Sequence, residues 1–247
     1  PVFELVEWLD APPDETWNGV LFANEVIDAL PTPRFTLRDG EVFEEGVALD
    51  GEGRFVRTDR PADALLSAAV RHVERYLDAP FPDGYRSELL PQLPYWIQAV
   101  MGGLDKGVML FADYGYPRRE FYQTDRDDGT LRAYYRHRVH NDAYLWPGLQ
   151  DITASVDFTA LAEAGTNAGF DLAGYTTQAN FLLGNGLQER LDEAQARADE
   201  ATLLRLRNEA KRLTLPSEMG ERFQLMGFSR DVEFGAAFLF NDLSWRL

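Results

Sequence analysis

The chain has 247 residues, of which 45% are hydrophobic, and it carries a formal net charge of −17. A chain of this length and composition can bury a core of its own, whereas its acidity repels the phosphates of nucleic acids, so we expect no nucleic-acid partner. It has no cysteine and only three histidines, which excludes disulfides and thiolate chemistry, and we expect no metal site. No apolar run approaches the ~20 residues of a membrane span, so we expect no such span.

The N-terminal part of the chain predicts strands. Residues Val2–Trp8 alternate apolar and polar side chains, which is typical of a strand. The wholly apolar run Gly19–Ala23 is typical of a strand buried on both faces of a parallel sheet. The Asp-Gly pair at 39–40, between the strand-like stretches Arg34–Leu37 and Glu41–Ala48, predicts a hairpin.

The middle of the chain predicts two helices, a strand and a long loop. Apolar residues recur at helical spacing over Ala62–Leu77 and Leu89–Met101, the second stretch being interrupted by prolines. Gly107–Ala112 repeats the pattern of a buried strand. Residues 116–155 show no clear periodicity and are rich in tyrosine, tryptophan and arginine, which indicates a functional loop.

The C-terminal part continues the alternation of strands and helices. Asp157 is the predicted N-cap of a helix, and Gly169–Tyr175 predicts a strand. Gln188–Leu213 predicts one long amphipathic helix, and Glu221–Phe228 with Phe234–Phe240 predicts a closing antiparallel pair. Strands that alternate with helices in this way favour an α/β fold with a mostly parallel sheet.

Polar residues follow both predicted buried strands. Asn24 and Glu25 come after the first strand and Asp113 and Tyr114 after the second, and ligands of parallel sheets bind at the carboxyl ends of strands. We therefore expect one shared cleft. On one turn of helix the Glu25 and Asp28 carboxylates would share a side, where they could hold a guanidinium or orient a cofactor amine. The alternative is an ordinary helix N-terminus, with Asn24 as the cap and the acids complementing the helix dipole.

The loop between residues 116 and 155 contains a stretch with both tyrosines and arginines, which includes Tyr135 and His137. The neighbouring arginines at 136 and 138 disfavour the charged form of His137, which leaves a structural role as the alternative to that of a base. Glycine-rich nucleotide loops and the nucleophile elbow of hydrolases are absent from the sequence.

Six segments, in this order, resemble the MidA-like family of S-adenosylmethionine-dependent methyltransferases, which includes a mitochondrial complex I assembly factor that methylates a protein arginine. The segments are GVLFANEVIDALP (Gly19–Pro31), GVMLFADYGYPRREFY (Gly107–Tyr122), DGTLRAYYRHR (Asp128–Arg138), WPGLQDITASVDFTALA (Trp146–Ala162), TTQANFLLGNGL (Thr176–Leu187) and LPSEMGERFQLM (Leu215–Met226).

The resemblance implies a Rossmann-like class I methyltransferase fold over residues 1–247 as one domain. Gly19–Ala23 would be its fourth strand and Gly107–Ala112 its fifth, and helical and loop insertions over approximately 34–104 and 188–215 would form a substrate cap. The glycine-rich cofactor loop of the family follows a strand that precedes Val2–Trp8. In the family order 3-2-1-4-5-7-6 this third strand would lack its neighbours, so we expect the sheet to be incomplete.

The resemblance also implies S-adenosyl-L-methionine as cofactor and a protein side chain, arginine, as methyl acceptor, with a respiratory-complex-like subunit as the partner. An oligomer is compatible with it, as is a cytoplasmic location, or the mitochondrial matrix in a eukaryote. The alternatives are a non-catalytic or weakly catalytic assembly factor with a methyltransferase fold, and a methyltransferase of small molecules.

The implied roles fall on residues at the two strand ends and in the tyrosine-rich loop. The expected roles are catalysis for Glu25 and Asp28, cofactor binding for Asn24 and Glu25, and substrate binding for Asp113, Tyr114, Tyr135 and His137.

Overall fold

A computed structural model of the chain describes residues 2–136 and 138–247, with side chains from Glu4 onward. The strands are β1 (Trp17–Asn24), β2 (Arg34–Arg38), β3 (Glu41–Leu49), β4 (Phe55–Pro61), β5 (Arg86–Glu88), β6 (Leu104–Tyr116), β7 (Arg132–Tyr135), β8 (Arg138–His140), β9 (Asp151–Thr153), β10 (Val156–Asp157), β11 (Asp171–Thr177) and β12 (Phe223–Arg230). The α-helices are α1 (Ala64–Glu74), α2 (Leu93–Met101), α3 (Arg118–Phe121), α4 (Phe158–Asn167), α5 (Gln178–Gly184), α6 (Leu187–Gln195) and α7 (Glu200–Thr214).

The central sheet has the strand order β1-β6-β12-β11, and β10 pairs with the end of β6. β1 and β6 are parallel, with Gly19 opposite Gly107 and Asn24 opposite Ala112. β12 runs antiparallel to both of its neighbours, β6 and β11. This order corresponds to 4-5-7-6 in the numbering of the methyltransferase sheet, so the predicted fold class and the places of the fourth and fifth strands are confirmed.

The main hydrophobic core lies between this sheet and the helices α2 and α4. Met109, Phe111 and Phe228 point from the sheet into that core, where they are almost completely buried. The expected burial of β1 on both faces is wrong, because Val20 is 70% exposed and Phe22 is 62% exposed. β1 is the edge strand, and the described residues leave that face of it open.

A second sheet, with the order β4-β3-β2-β5, packs against α1 around a core of its own. The predicted hairpin is confirmed: Arg38 pairs with Glu41, and Asp39 and Gly40 between them have φ values of 49° and 77°, as in the tight turns that join twisted strands. The region 34–104, predicted to be a helical and loop insertion, contains these four antiparallel strands as well as α1 and α2.

Two predicted strands are absent from the described residues. The segment predicted as a strand over Val2–Trp8 forms a short 3-10 helix, Val2–Leu5, followed by irregular chain without a pairing partner. The segment predicted as the strand Phe234–Phe240 contains the 3-10 helix Gly235–Phe238. β12 is already paired on both of its edges, so no edge of it is left for a further strand.

Two longer regions are more divided than the sequence predicts. The single helix predicted over Gln188–Leu213 is two helices, α6 and α7. The first helix ends at Gln195, and Asp199 caps the second by accepting the backbone N–H of Thr202. Residues 116–155, which lack periodicity, contain α3 and the small sheet β8-β7-β9.

The helix start predicted at Asp157 is confirmed, since its carboxylate accepts the backbone N–H of Ala160. The two helices predicted in the middle of the chain are also present, although α2 begins only at Leu93. Within residues 2–136 and 138–247, no helix combines the length and the apolarity that crossing a membrane would require.

Candidate active site

A cleft of about 1320 Å³ opens at the carboxyl ends of β1 and β6. Because the carboxyl ends of parallel strands meet at one edge of a sheet, the residues that follow β1 and end β6 are brought together there. The polar side chains at this end of the cleft include Glu25, Asp28, Tyr114, Asp151, Thr153 and Gln224.

Glu25 lies where the chain leaves the sheet. Its backbone N–H still donates to the carbonyl of Ala112, at 2.9 Å, but its φ of 50° turns the chain away. A non-glycine residue in this left-handed region is strained, and such strain is concentrated at functional sites. The Glu25 side chain is exposed at the cleft, where its Oε1 accepts a hydrogen bond from the Asn24 amide at 3.3 Å.

Asp113 is a buried carboxyl beneath the cleft. Its Oδ2 accepts the backbone N–H groups of Ile27 and Asp28, at 3.1 and 3.2 Å, and its Oδ1 accepts that of Tyr114 at 2.9 Å. These bonds hold the turn after β1 against the end of β6. Burial, and then the nearby charge of Asp28, raise the pKa of Asp113 to about 7 against the opposing effect of the N–H donors.

Asp28 and Tyr114 form a second contact between the two strand ends. The Tyr114 hydroxyl donates to Asp28 Oδ2 at 2.5 Å, and Asp28 is only 5% exposed. Burial raises the pKa of Asp28, and the neighbouring Asp151 adds to the rise. Burial and the bond to Asp28 also raise the pKa of the Tyr114 phenol. Asp28 Oδ1 has no hydrogen-bond partner among the described residues.

The structure brings together four of the seven predicted site residues. Glu25, Asp28 and Tyr114 line the cleft, and Asp113 supports them from below. Asn24 is exposed beside Glu25 but is not part of the lining.

The remaining two predictions fall on the tyrosine-rich loop. Tyr135 packs on Trp146, with ring centroids 4.5 Å apart, and does not line the cleft, whereas Tyr134 does. Neighbouring residues of a strand point to opposite faces, so a shift of one position in β7 separates the two tyrosines. His137 lies outside the described residues.

Other lining residues come from strands that are distant in the sequence. Gln224 of β12 lies opposite Asp113 of β6, and Tyr175 comes from β11. Asp151 and Thr153 come from β9 of the small sheet. Asp151, Thr153 and Gln224 fall within the segments that resemble the methyltransferase family. No local pattern assigns them to the cleft, and the pairing of the strands does.

The cleft lining carries charges of both signs, six carboxylates and the four arginines Arg126, Arg132, Arg222 and Arg246. Arg246 pairs with Glu120 at 2.5 Å, and Arg126 donates to two backbone carbonyls and lies over the ring of Tyr116. The end near Glu25, Asp28 and Asp151 is acidic. No group of three or more His, Asp and Glu side chains suited to a metal ion occurs in the described part of the chain.

Residues 1–176 match a family described as S-adenosyl-L-methionine-dependent methyltransferase. The chain is 31% identical over 217 residues to "Protein arginine methyltransferase NDUFAF7, mitochondrial" of Danio rerio, which covers 83% of this chain and 46% of that protein. The Drosophila melanogaster homologue is 29% identical over 222 residues, with 84% and 46% covered. The chain thus spans about half the length of these relatives.

Two crystal structures from Burkholderia thailandensis are similar to this fold. One, bound to S-adenosyl-homocysteine, is 39% identical with a TM-score of 0.86 and covers 98% of this chain and 61% of that one. The other, a native structure, is 40% identical with a TM-score of 0.87 and covers 98% and 63%. Together with the family match over residues 1–176, they show that the chain belongs to a family of S-adenosyl-L-methionine-dependent methyltransferases.

Proposed function

We propose that the protein containing this chain transfers a methyl group from S-adenosyl-L-methionine to the side chain of an arginine in another protein. The observation that carries the proposal is the acidic end of the cleft, where Glu25 and the Asp28–Tyr114 pair lie at the carboxyl ends of two parallel strands. Membership of the methyltransferase family and relatives named protein arginine methyltransferases support it.

The acidic end of the cleft fits a guanidinium. Arginine carries several N–H donors and no acceptor, and carboxylates bind it through paired hydrogen bonds. Glu25 is exposed at the cleft and Asp28 has one oxygen without a partner among the described residues. Arg246 pairs with Glu120, and Arg126 and Arg132 donate to backbone carbonyls.

Asn24 and Glu25 fit the cofactor. S-adenosyl-L-methionine supplies a methyl group on a cationic sulfonium, and it also carries an amino group and hydroxyls. Both side chains are exposed at the carboxyl end of β1, where a carboxylate and an amide could bind such groups. The relative from Burkholderia thailandensis that holds S-adenosyl-homocysteine supports this cofactor.

In the proposed reaction the residues of this chain orient the acceptor and take up one proton. Glu25 binds the guanidinium and disperses its charge, and orientation of this kind supplies much of the rate of a transfer between two bound groups. A guanidinium nitrogen would lose one proton as its bond to the methyl carbon forms, while the bond from that carbon to the sulfonium sulfur breaks and leaves S-adenosyl-homocysteine as the second product. The Asp28 carboxylate accepts that proton, for which its raised pKa suits it. Asp113 positions Asp28 through the backbone bonds of the turn.

The proposal extends to the partner. From the family resemblance we propose that the acceptor arginine belongs to a subunit of a respiratory-type complex. Carboxylates outnumber arginines in the cleft lining, and this excess suits a basic segment of protein.

The test is methyl transfer by the protein in its natural length, with tritium-labelled S-adenosyl-L-methionine added to a cell lysate. We expect label on arginine residues of one or a few proteins. Glu25→Gln removes the charge but keeps the size of the side chain, and we expect it to lower labelling about 100-fold, as removal of one charge-stabilising group commonly does. Glu189→Gln, on the exposed surface of α6, is the matched control and should label like the wild type.

Each contrary result has a distinct meaning. Undiminished labelling by Glu25→Gln, with the unfolding midpoint unchanged, would remove Glu25 from the mechanism. Label that appears only in small molecules would identify a methyltransferase of metabolites. No label in any fraction, together with no binding heat for S-adenosyl-L-methionine, would favour an assembly factor that has the fold without the activity.

A further inference from the structure

Four buried side-chain atoms that line the cleft have no hydrogen-bond partner among the described residues. They are Asp28 Oδ1, Thr153 Oγ1, Tyr175 OH and Gln224 Oε1, and each of these side chains is less than a tenth exposed. Buried polar atoms without a partner are rare in folded proteins. Their concentration in one cleft indicates a bound group that completes their hydrogen bonds.

The chemistry of these atoms restricts what that group can be. Asp28 Oδ1, when ionised, and Gln224 Oε1 can only accept hydrogen bonds, whereas the two hydroxyls can donate or accept. A ligand that satisfies all of them must therefore carry several donors. A guanidinium has five N–H donors and no acceptor, and its positive charge suits the acidic end of the cleft.

The orientation of the Gln224 amide is fixed by the protein. Its Nε2 donates to the backbone carbonyl of Glu221 at 2.8 Å, and a flipped amide would bring two oxygens together at that contact. The oxygen is thus the end of the amide that remains without a partner.

Gln224 is also close to the group that the proposed reaction uses. It lies directly opposite Asp113 in the antiparallel pairing of β12 with β6, so their Cα atoms are about 5 Å apart. Asp113 in turn accepts the backbone N–H of Asp28. A planar cation bound to Asp28 therefore has Gln224 as its neighbour on the next strand.

We propose that Gln224, together with the free oxygen of Asp28, binds the guanidinium of the acceptor and so selects arginine over lysine; the inference rests on the proposed function. Gln224 lies beyond residues 1–176, which the family match covers. A primary ammonium has only three donors on one compact nitrogen, so it cannot satisfy both oxygens with the planar geometry of a guanidinium.

The experiment is calorimetric titration of the protein in its natural length with agmatine, a small guanidine, and with cadaverine, a primary amine that lacks the guanidinium. The test variant is Gln224→Met, which conserves the volume of the side chain but removes the amide. Gln188→Met, on the exposed surface of α6, is the matched control.

We expect agmatine to bind the wild type more tightly than cadaverine. We expect Gln224→Met to weaken agmatine binding about tenfold, as loss of a hydrogen bond to a charged group does, with a much smaller effect on cadaverine. Gln188→Met should not change the affinity for either ligand. A purely structural defect would instead weaken both ligands equally and lower the unfolding midpoint.

Two results would overturn the inference: no binding of agmatine to the wild type, or equal agmatine affinity in the wild type and Gln224→Met. The lysate labelling experiment separates this from the proposed function. If arginine is labelled but the affinity for agmatine does not depend on Gln224, only the inference is overturned and the proposed function stands. Agmatine binding that depends on Gln224, without labelling of any arginine, would support the guanidinium site and overturn the proposed reaction.

Discussion

Asp113 combines two properties that oppose each other. It holds the turn after β1 through three backbone N–H groups, yet burial and the charge of Asp28 raise its pKa from the usual 3.8 to about 7. The folded state thus retains a proton that the unfolded chain releases near pH ~4. The resulting stability is present in full at low pH and is lost as the pH rises from about 4 to about 7.

Asp113→Asn tests this directly, because an asparagine cannot ionise. The amide nitrogen of the variant faces a backbone N–H that a carboxyl oxygen accepts in the wild type, so the variant loses at least one hydrogen bond at every pH. We expect the stability of the variant relative to the wild type to rise by roughly 3 kcal/mol between pH 4.5 and pH 7.5. Urea unfolding followed by circular dichroism at several pH values measures the difference. If the free energies of unfolding of the two proteins change in parallel with pH, then the pKa of Asp113 is not raised by its burial.

The candidate site could be predicted from the sequence only where it follows strands that the sequence itself marks. The apolar run Gly19–Ala23 is closely followed by Glu25 and Asp28, and the run Gly107–Ala112 is followed by Tyr114. The sequence therefore predicts that these side chains meet at one edge of the sheet. Gln224 could not be found in this way, because its place beside Asp113 depends on an antiparallel pairing of distant strands. The neighbouring tyrosines 134 and 135 share a composition but face opposite ways, and composition alone does not distinguish them.

At the scale of elements, α6 and α7 differ from the other α-helices because neither has a fully buried residue. Helices of this length gain most of their stability from packing, so this pair depends more than the others on local interactions such as caps. The cap of α7 is Asp199, whose carboxylate accepts the Thr202 N–H at 2.7 Å. We therefore expect α6 and α7 to open more readily than the central strands.

The prediction is that Asp199→Ala speeds amide hydrogen exchange in α7 roughly fivefold, the usual effect of losing a cap, while exchange in β6 and β12 does not change. Hydrogen exchange read by mass spectrometry provides the measurement. Asp199→Asn keeps a capping oxygen and should exchange like the wild type. Faster exchange throughout the protein would show that α7 is instead coupled to global unfolding.

The elements themselves were predictable to different degrees. β1 and β6 are long and apolar, and the hairpin at Asp39 has a turn pair of its own, so local sequence was sufficient. The strands β7, β8 and β9 have only three or four residues each, too few for a periodic pattern. The alternation in Val2–Trp8 is a genuine strand pattern, but a strand also needs a neighbour, and among the described residues this segment has none.

At the scale of the whole molecule, two hydrophobic cores are joined by the short helix α3. Phe121, at its end, is buried in the core of the second sheet. Arg118, at its start, is 4% exposed and bonds to both Asp157 and Glu163 of the central unit. Its guanidinium also lies over the ring of Tyr76, 5.7 Å from the centroid. One arginine thus links the two units.

Burial disfavours the ionised form of both carboxylates, and Arg118 compensates to different degrees. The pKa of Asp157 is raised by burial in spite of Arg118. Burial also opposes ionisation of Glu163, but the bonds and charges of Arg118 and His72 outweigh it and lower the pKa of Glu163. Removing Arg118 leaves both carboxylates without their main cation.

We therefore expect Arg118→Met to lower the free energy of unfolding by about 3 kcal/mol near neutral pH, the usual cost of breaking a buried ion pair on one side. The loss should shrink as the pH falls, because protonation of Asp157 and Glu163 removes the charges that lack a partner. Arg119→Met is the matched control: that side chain is 70% exposed, and its one ion pair among the described residues is with Asp78, at 3.6 Å, so its removal should cost less than about 1 kcal/mol. Urea unfolding of the wild type and the two variants at two pH values provides the measurement. If Arg118→Met lowers the free energy of unfolding no more than Arg119→Met does, then apolar packing, and not this ion pair, joins the two units.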